Sequence, residues 1–485
     1  TSRDWSSDVC FPILNMKKVW NNLVNFFKSA DKNNLYSLNG CVPPQRAVLF
    51  GIQHILAMFI ANLAPILFVL GTIGVESEIK ASVIQNAIFI AGIGTIFQLY
   101  PVWKFGGKLP IVVGVSFTFA TMLSYVGLQY GYGAMLGGVI VGGIFISIMG
   151  LFAKYWIKFI KPIVSSIVIL AIGLSLLSVG GDYFAGGASN TTGVLSYLSW
   201  QSLLVGLLTL VACLLFQMFV KGTWKNLSTL FGICVGYLIS LCFGGVDFSS
   251  FEGVKAIALP RFAMTTIEFR WEAILPTCLI YLVATTECVG DVSALCNGGL
   301  SRDPTTKEIS GALACDGLIS AVSGCFGCMP LTTFCQNVGI VSSTKIVNRF
   351  AILFGAIIMI LAGLFPGISA AILTIPYPVL GGALVMLFAS IVVTGFEMVA
   401  KCGFTPKNIL ILTLSIGVGY GFSLVPNFYS ALGEVPSIIL SNPVAIMFII
   451  SFILSFCIPE NYGLKKSLEN KENNSEKISS EKNND

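Results

Sequence analysis

The sequence predicts an all-α polytopic membrane protein: fourteen transmembrane segments in a seven-plus-seven inverted repeat, with short extended strands breaking segments 3 and 10. Three observations predict it. Of 485 residues, 55% are hydrophobic and only 11% charged, against about 25% charged in soluble domains. The apolar residues gather into fourteen runs, most of them near the ~20 residues a spanning helix needs. Two of those runs open with the same proline-led pattern, 220 residues apart (330 − 110).

The runs lie near 48–70, 82–100, 110–127, 133–152, 161–179, 200–219, 227–245, 272–295, 311–328, 331–346, 349–365, 376–397, 407–425 and 442–458. The third and tenth are short and polar for full spans. Basic residues set the orientation, since cytoplasmic loops carry the Lys and Arg excess. Of 28 Lys and Arg, only Lys80, Lys255, Arg261 and Arg270 fall in loops read as external. An even span count places both termini in the cytoplasm, with the chain in the cytoplasmic (plasma) membrane.

The third run opens Leu109-Pro110-Ile111-Val112-Val113-Gly114-Val115-Ser116-Phe117, and the tenth Met329-Pro330-Leu331-Thr332-Thr333-Phe334-Cys335-Gln336-Asn337. Proline and β-branched residues favour extended backbone over a helix start. Extended backbone at membrane depth must be buried in protein or line a cavity. Seven spans separate the two stretches, so the halves are expected to be inverted. Such paired broken segments point to a transporter site; two ordinary helices, each with proline in its first turn, are the structural alternative.

Three carboxylates lie well inside the runs: Glu287, Asp291 and Asp316. Charge at membrane depth is expensive and usually functional. Glu287 and Asp291 share a helix face at i,i+4. Two carboxylates that close in low dielectric resist carrying two charges, the arrangement a proton-coupled site uses. His54, the single histidine, either bonds a neighbouring helix or helps orient the site. Glu397, beside Lys401, reads as interfacial. Gln336 and Asn337 sit in the second broken segment. A side-chain amide presents donor and acceptor together, complementing a ring edge with adjacent C=O and N–H. Phe117 and Phe334 could bracket a planar ring, or simply pack.

Other classes fit poorly. The net charge of +5 suggests no nucleic-acid partner. There is no P-loop, HExxH, GxSxG or G-x-G-x-x-G, so the chain does not read as an enzyme. Most of the 14 cysteines lie in apolar runs and read as small hydrophobes. Cys325 and Cys328 form a CxxC without a second pair at metal-ligand spacing, so neither a metal nor another cofactor is expected. No cleavable signal peptide precedes the first span. Met16 is a candidate start, which would leave Thr1–Asn15 non-native. The polar tail from 459 to 485 reads as disordered.

Taken in order, these residues resemble the nucleobase–ascorbate transporters (nucleobase:cation symporters, xanthine/uracil permeases). The resemblance rests on Gln53-His54, Gly114-Val115-Ser116-Phe117, Glu287 with Gly290-Asp291, and Asp316-Gly317. It also rests on the signature-like stretch Gln336-Asn337-Val338-Gly339 through Thr344-Lys345. The resemblance covers roughly residues 45–458. It implies a lead-in at 1–45 and a transporter domain at 46–458. Within that domain it implies a core (48–152 and 272–365) that carries substrate against a gate (161–245 and 376–458). It further implies a homodimer through the gate and uptake of a purine or pyrimidine base with protons. Glu287 would contact the ring and couple protons, and Gln336 would read the ring edge. Phe117 and Phe334 would flank the base, and the backbone at Ser116 and Cys335 would add hydrogen bonds. His54, Asp291, Asp316 and Asn337 would support the site. Gln at position 336 points to the purine branch, xanthine or uric acid. Cys335 and Lys345 depart from the usual residues. The rival readings are a uracil permease of the same family, an inorganic-anion transporter of the sulfate-permease type, and a channel or receptor.

Overall fold

A computed structural model describes residues 31–188, 190–425, 428–459 and 462. The readings made for the lead-in before residue 31, and for the tail beyond 459 apart from Tyr462, lie outside the described residues. The fold is mostly helical. The first half contains α1 (Pro44–Ile73), α2 (Ser77–Leu99), strand β1 (Val113–Val115), α3 (Ala120–Tyr130), α4 (Tyr132–Leu151), α5 (Pro162–Phe184), α6 (Trp200–Phe219) and α7 (Ser228–Cys242). The second contains α8 (Trp271–Leu295), α9 (Thr306–Cys325), strand β2 (Leu331–Thr333), α10 (Cys335–Thr344), α11 (Arg349–Ala362), α12 (Pro366–Leu373), α13 (Tyr377–Cys402), α14 (Pro406–Leu414), α15 (Glu434–Ser441) and α16 (Pro443–Cys457).

Among the described residues, six helices are long and apolar enough to cross a membrane: α2, α4, α5, α6, α8 with its extension to Leu300, and α13. The pairs α11–α12 and α15–α16 qualify together, bent by 83° and 85°. The apolar face of α6 at Leu203, Leu207, Val211 and Leu214 is exposed, as expected of a surface against lipid. The chain is therefore a multi-pass membrane protein.

Helix packing falls into two sets. In one, α4 lies on α9 and α8, and α11 lies on α1 and α2; in the other, α13 packs on α5, α6 and α7, and α16 on α5. Small residues permit the closest crossings. A Cβ built on Gly317 of α9 would stand 2.3 Å from the Ser147 nitrogen and 2.6 Å from the Gly143 oxygen of α4, so only glycine fits. The start of α9 is fixed by a capping box. Thr305 Oγ1 accepts from the Glu308 nitrogen at 3.3 Å, and the Thr305 nitrogen donates to Glu308 Oε2 at 2.8 Å.

The third and tenth runs are not continuous helices. Each opens as a strand and continues as a short helix, α3 or α10. Two breaks carry no proline signal: wide turns, with hydrogen bonds five residues apart, interrupt the chain at Cys296–Leu300 and Ser415–Tyr420.

Candidate functional site between the two strands

β1 and β2 pair antiparallel, with Val113 opposite Thr333, Gly114 opposite Thr332 and Val115 opposite Leu331. The ladder continues at both ends: the Ser116 nitrogen donates to the Pro330 oxygen at 3.2 Å, and the Phe334 nitrogen to the Val112 oxygen at 3.0 Å. Both strands are fully buried. This satisfies backbone groups that water cannot reach. The sheet has only two strands, so side chains from the surrounding helices take up its remaining edges. The Val113 nitrogen donates to Thr95 Oγ1 at 3.0 Å, and the Val115 nitrogen to Asn62 Oδ1.

β2 is braced by Asp316. Its Oδ2 accepts from the Thr333 nitrogen and from Thr333 Oγ1, both at 2.9 Å, and its Oδ1 accepts from Gln98 Nε2 at 2.8 Å. Asp316 thus ties α9, β2 and α2 together, and it does not line the cavity at the strand junction.

That cavity, ≈ 20 Å³ in volume, is lined by Ser116, Phe117, Glu287, Phe334, Cys335 and Gln336, with Thr333 beneath and Ile169, Ile172 and Ile391 facing them from α5 and α13. Its volume is about that of one water, too small as it stands for a planar base. Among the described residues, no Lys or Arg lines the cavity. Two polar groups converge on it. The Thr118 hydroxyl donates to Glu287 Oε2, and among the described residues this is the carboxylate's only hydrogen-bond partner. Cys335 Sγ lies 3.1 Å from Gln336 Oε1, while Gln336 Nε2 is buried with no partner among the described residues. A buried amide N–H without an acceptor costs free energy until something accepts from it, and a ring carbonyl would. Phe117 also meets Phe388 of α13 edge to face, with centroids 5.2 Å apart.

All six residues expected to contact substrate therefore meet at one cavity. His54, Asp291 and Asn337 are buried beyond its lining. The Asn337 side-chain amide donates to the His54 carbonyl at 3.3 Å. Among the described residues, His54 Nδ1, Asn337 Oδ1 and Asp291 Oδ2 each lack a partner. Thr118, Asn62, Thr95 and Gln98 escaped the sequence reading. Asn62 and Gln98 carried a usable signal, being costly amides inside apolar runs; Thr95 and Thr118 carried none. Among the described residues, no cluster of His, Cys, Asp or Glu could hold a metal.

The family model Xan_ur_permease, described as a permease family, matches residues 45–455. The chain belongs to this family, the nucleobase–ascorbate transporters. A member of this permease family is a transporter, not an enzyme. The permease is 31% identical over 448 residues to the xanthine permease XanQ of Escherichia coli (strain K12), covering 89% of this chain and 95% of that one. It is 30% identical over 400 residues to the uric acid transporter UacT of the same strain, covering 81% and 82%. In fold, the permease is similar to the transmembrane domain of a cyanobacterium bicarbonate transporter, BicA, with a TM-score of 0.54 and 16% identity over 88% of this chain and 98% of that one. At that identity the likeness concerns the fold alone.

Proposed function

We propose that this permease imports an oxopurine, xanthine or uric acid, together with protons by alternating access across the plasma membrane. The observation that carries the reading is the convergence of Glu287 and the unpartnered Gln336 Nε2 on one cavity at the strand junction. The names of the two Escherichia coli relatives support the solute. The base lies between Phe117 and Phe334. Glu287 accepts from a ring N–H, or shares a proton with it, and Gln336 donates to the adjacent carbonyl. The backbone at Ser116 and Cys335 adds hydrogen bonds. Binding a proton with the base removes the carboxylate's charge, which lowers the cost of moving the loaded strands through an apolar environment. His54, Asp291 and Asn337 hold the surrounding polar groups in place.

The same reading takes the fourteen segments as seven plus seven. The core, at 48–152 and 272–365, slides against the gate at 161–245 and 376–458. Both termini are cytoplasmic, and two copies meet through their gates. The separate packing of α1–α4 with α8–α11, and of α5–α7 with α13 and α16, supports the division. An inorganic-anion solute is disfavoured, because Glu287 lines the cavity and, among the described residues, no Lys or Arg does. A uracil permease would share the geometry and differ in what Gln336 reads. The test is labelled xanthine and urate uptake into vesicles with and without an inward proton gradient. Accelerated uptake with the gradient in the wild type, and none in Glu287→Gln, is the expected result. Gradient-independent uptake would remove proton coupling.

A further inference from the structure

A second cavity, far larger at ≈ 620 Å³, opens between the α1–α2 corner, the loops at 190–195 and 244–250, and the starts of α12's exit and α13. It is of the size that takes small molecules. The two cavities share α13: Leu380 lines the large one and Ile391 the small one. Eleven residues of helix separate them, about 16 Å at the α-helical rise. Phe388 lies between, its ring against Phe117. Along α13 the Phe388–Phe117 contact thus falls between the large cavity and the strand junction, which makes the large cavity a candidate vestibule.

Its polar lining carries one charge of each sign, and the two are not equivalent. Asp247 is bonded within its own turn, Oδ1 accepting from the Ser249 nitrogen and Oδ2 from Ser249 Oγ, each at 2.9 Å. The nearby acid Glu78 is taken by Arg261 at 2.9 Å. Lys80 lines the same cavity, and its ammonium meets no carboxylate, carbonyl or ring among the described residues. A cation left unpaired at the mouth of a concave surface concentrates anions there.

We propose that this vestibule is an external loading site that captures the anionic form of an oxopurine, urate above all, with Lys80 supplying the attraction. The proposal rests on the uptake function and external orientation given above. Urate is a monoanion near neutral pH, whereas xanthine is still largely neutral in mildly acid medium. One proton taken up at Glu287 together with one urate anion transfers no net charge, although the occupied site keeps the urate's own negative charge where neutral xanthine would leave none, so the vestibule and the inner site make different demands on the solute.

The test is urate and xanthine uptake kinetics, in mildly acid medium, for the wild type and for Lys80→Gln, Lys80→Arg and Asp247→Asn, with surface expression measured in each. Lys80→Gln is expected to raise the KM for urate about five- to ten-fold, the low end of electrostatic concentration effects, with kcat unchanged and xanthine little affected. Lys80→Arg restores the wild-type KM. Asp247→Asn lowers it, because the opposing charge is gone. The Lys80 effect fades from low to high salt, as the Debye length contracts from ~30 Å at 0.01 M to ~3 Å at 1 M. Robust urate uptake with an unmoved KM in Lys80→Gln, or a loss confined to kcat, overturns the loading site and leaves the uptake function standing. A wild type that takes up neither purine overturns both.

Discussion

Gly114→Ala places one methyl group against the proposed substrate ring contact. A Cβ at this position would stand 2.7 Å from Phe334 Cδ2, 3.0 Å from Asn62 Oδ1 and 3.1 Å from Met58 Cε. Carbon atoms in ordinary contact sit about 3.5–4.0 Å apart, so the Phe334 ring must retreat by about 1 Å. The space beyond it is a cavity of ≈ 20 Å³, and the Asn62 oxygen that would also be pushed is the one accepting from the Val115 nitrogen. Overpacking of this kind costs about 1–3 kcal/mol. Set against the substrate-ready arrangement alone, that is a loss of between about 5-fold and about 160-fold in kcat/KM. The assay is labelled xanthine uptake normalised to surface expression, run as a double-mutant cycle with Phe334→Leu. The smaller leucine relieves the clash, so Phe334→Leu should cost less in the Gly114→Ala background than alone. Normal uptake in Gly114→Ala, or strictly additive losses in the double variant, would refute the reasoning.

Other substitutions test other parts of the account. Asp316→Ala abandons the Thr333 nitrogen and Thr333 Oγ1, each costing about 1–3 kcal/mol if left buried and unpaired, and removes one of two bonds from Gln98 Nε2, which keeps the Ala312 oxygen at 3.0 Å; the purified protein should melt markedly earlier in a thermal-shift assay, with Asp316→Asn intermediate. Gly317→Ala drives a methyl into the α4 backbone and should reduce folded yield. Gly290→Ala, whose nearest neighbour would be Met398 Cε at 3.6 Å, should be recovered at wild-type levels, and equal yields for the two would contradict the packing described. Gln336→Glu should move preference from xanthine toward uracil in competition uptake; unchanged xanthine preference would remove Gln336 as the reader of the ring edge.

The strand pair was legible because its cause is local. Pro110 and Pro330, followed by Val112, Val113 and Val115 in one case and Thr332 and Thr333 in the other, discourage a helix within a few residues. The polar residues follow the strands: Ser116 comes directly after β1, and Gln336 is the second residue of α10, three positions after β2 ends. The buried acids were legible as candidates because charge in apolar runs is costly, but their assignments depend on partners far away in sequence. Asp316 could not be recognised as a brace without knowing that Gln98 and Thr333 meet it, 218 and 17 residues distant. Thr118 gave no signal, since a threonine in an apolar run ordinarily bonds its own helix. The bends between α11 and α12 and between α15 and α16 fall where Pro366 and Pro443 open the second helix of each pair after an extended residue, whereas the wide turns at Cys296–Leu300 and Ser415–Tyr420 contain no proline. The prolines made the bends legible; the two wide turns have no comparable local signal.

The most direct test of the central claim, an oxopurine bound where the two strands meet, is a competition experiment. Labelled xanthine uptake by the wild type and by Gln336→Glu would be challenged with unlabelled xanthine, urate, guanine, uracil and sulfate at two external pH values. The account predicts wild-type uptake that is faster at the lower pH, blocked by xanthine and urate and untouched by sulfate, with uracil gaining potency only in the Gln336→Glu protein. Uptake blocked by sulfate, or an inhibition pattern identical in the two proteins, would contradict it.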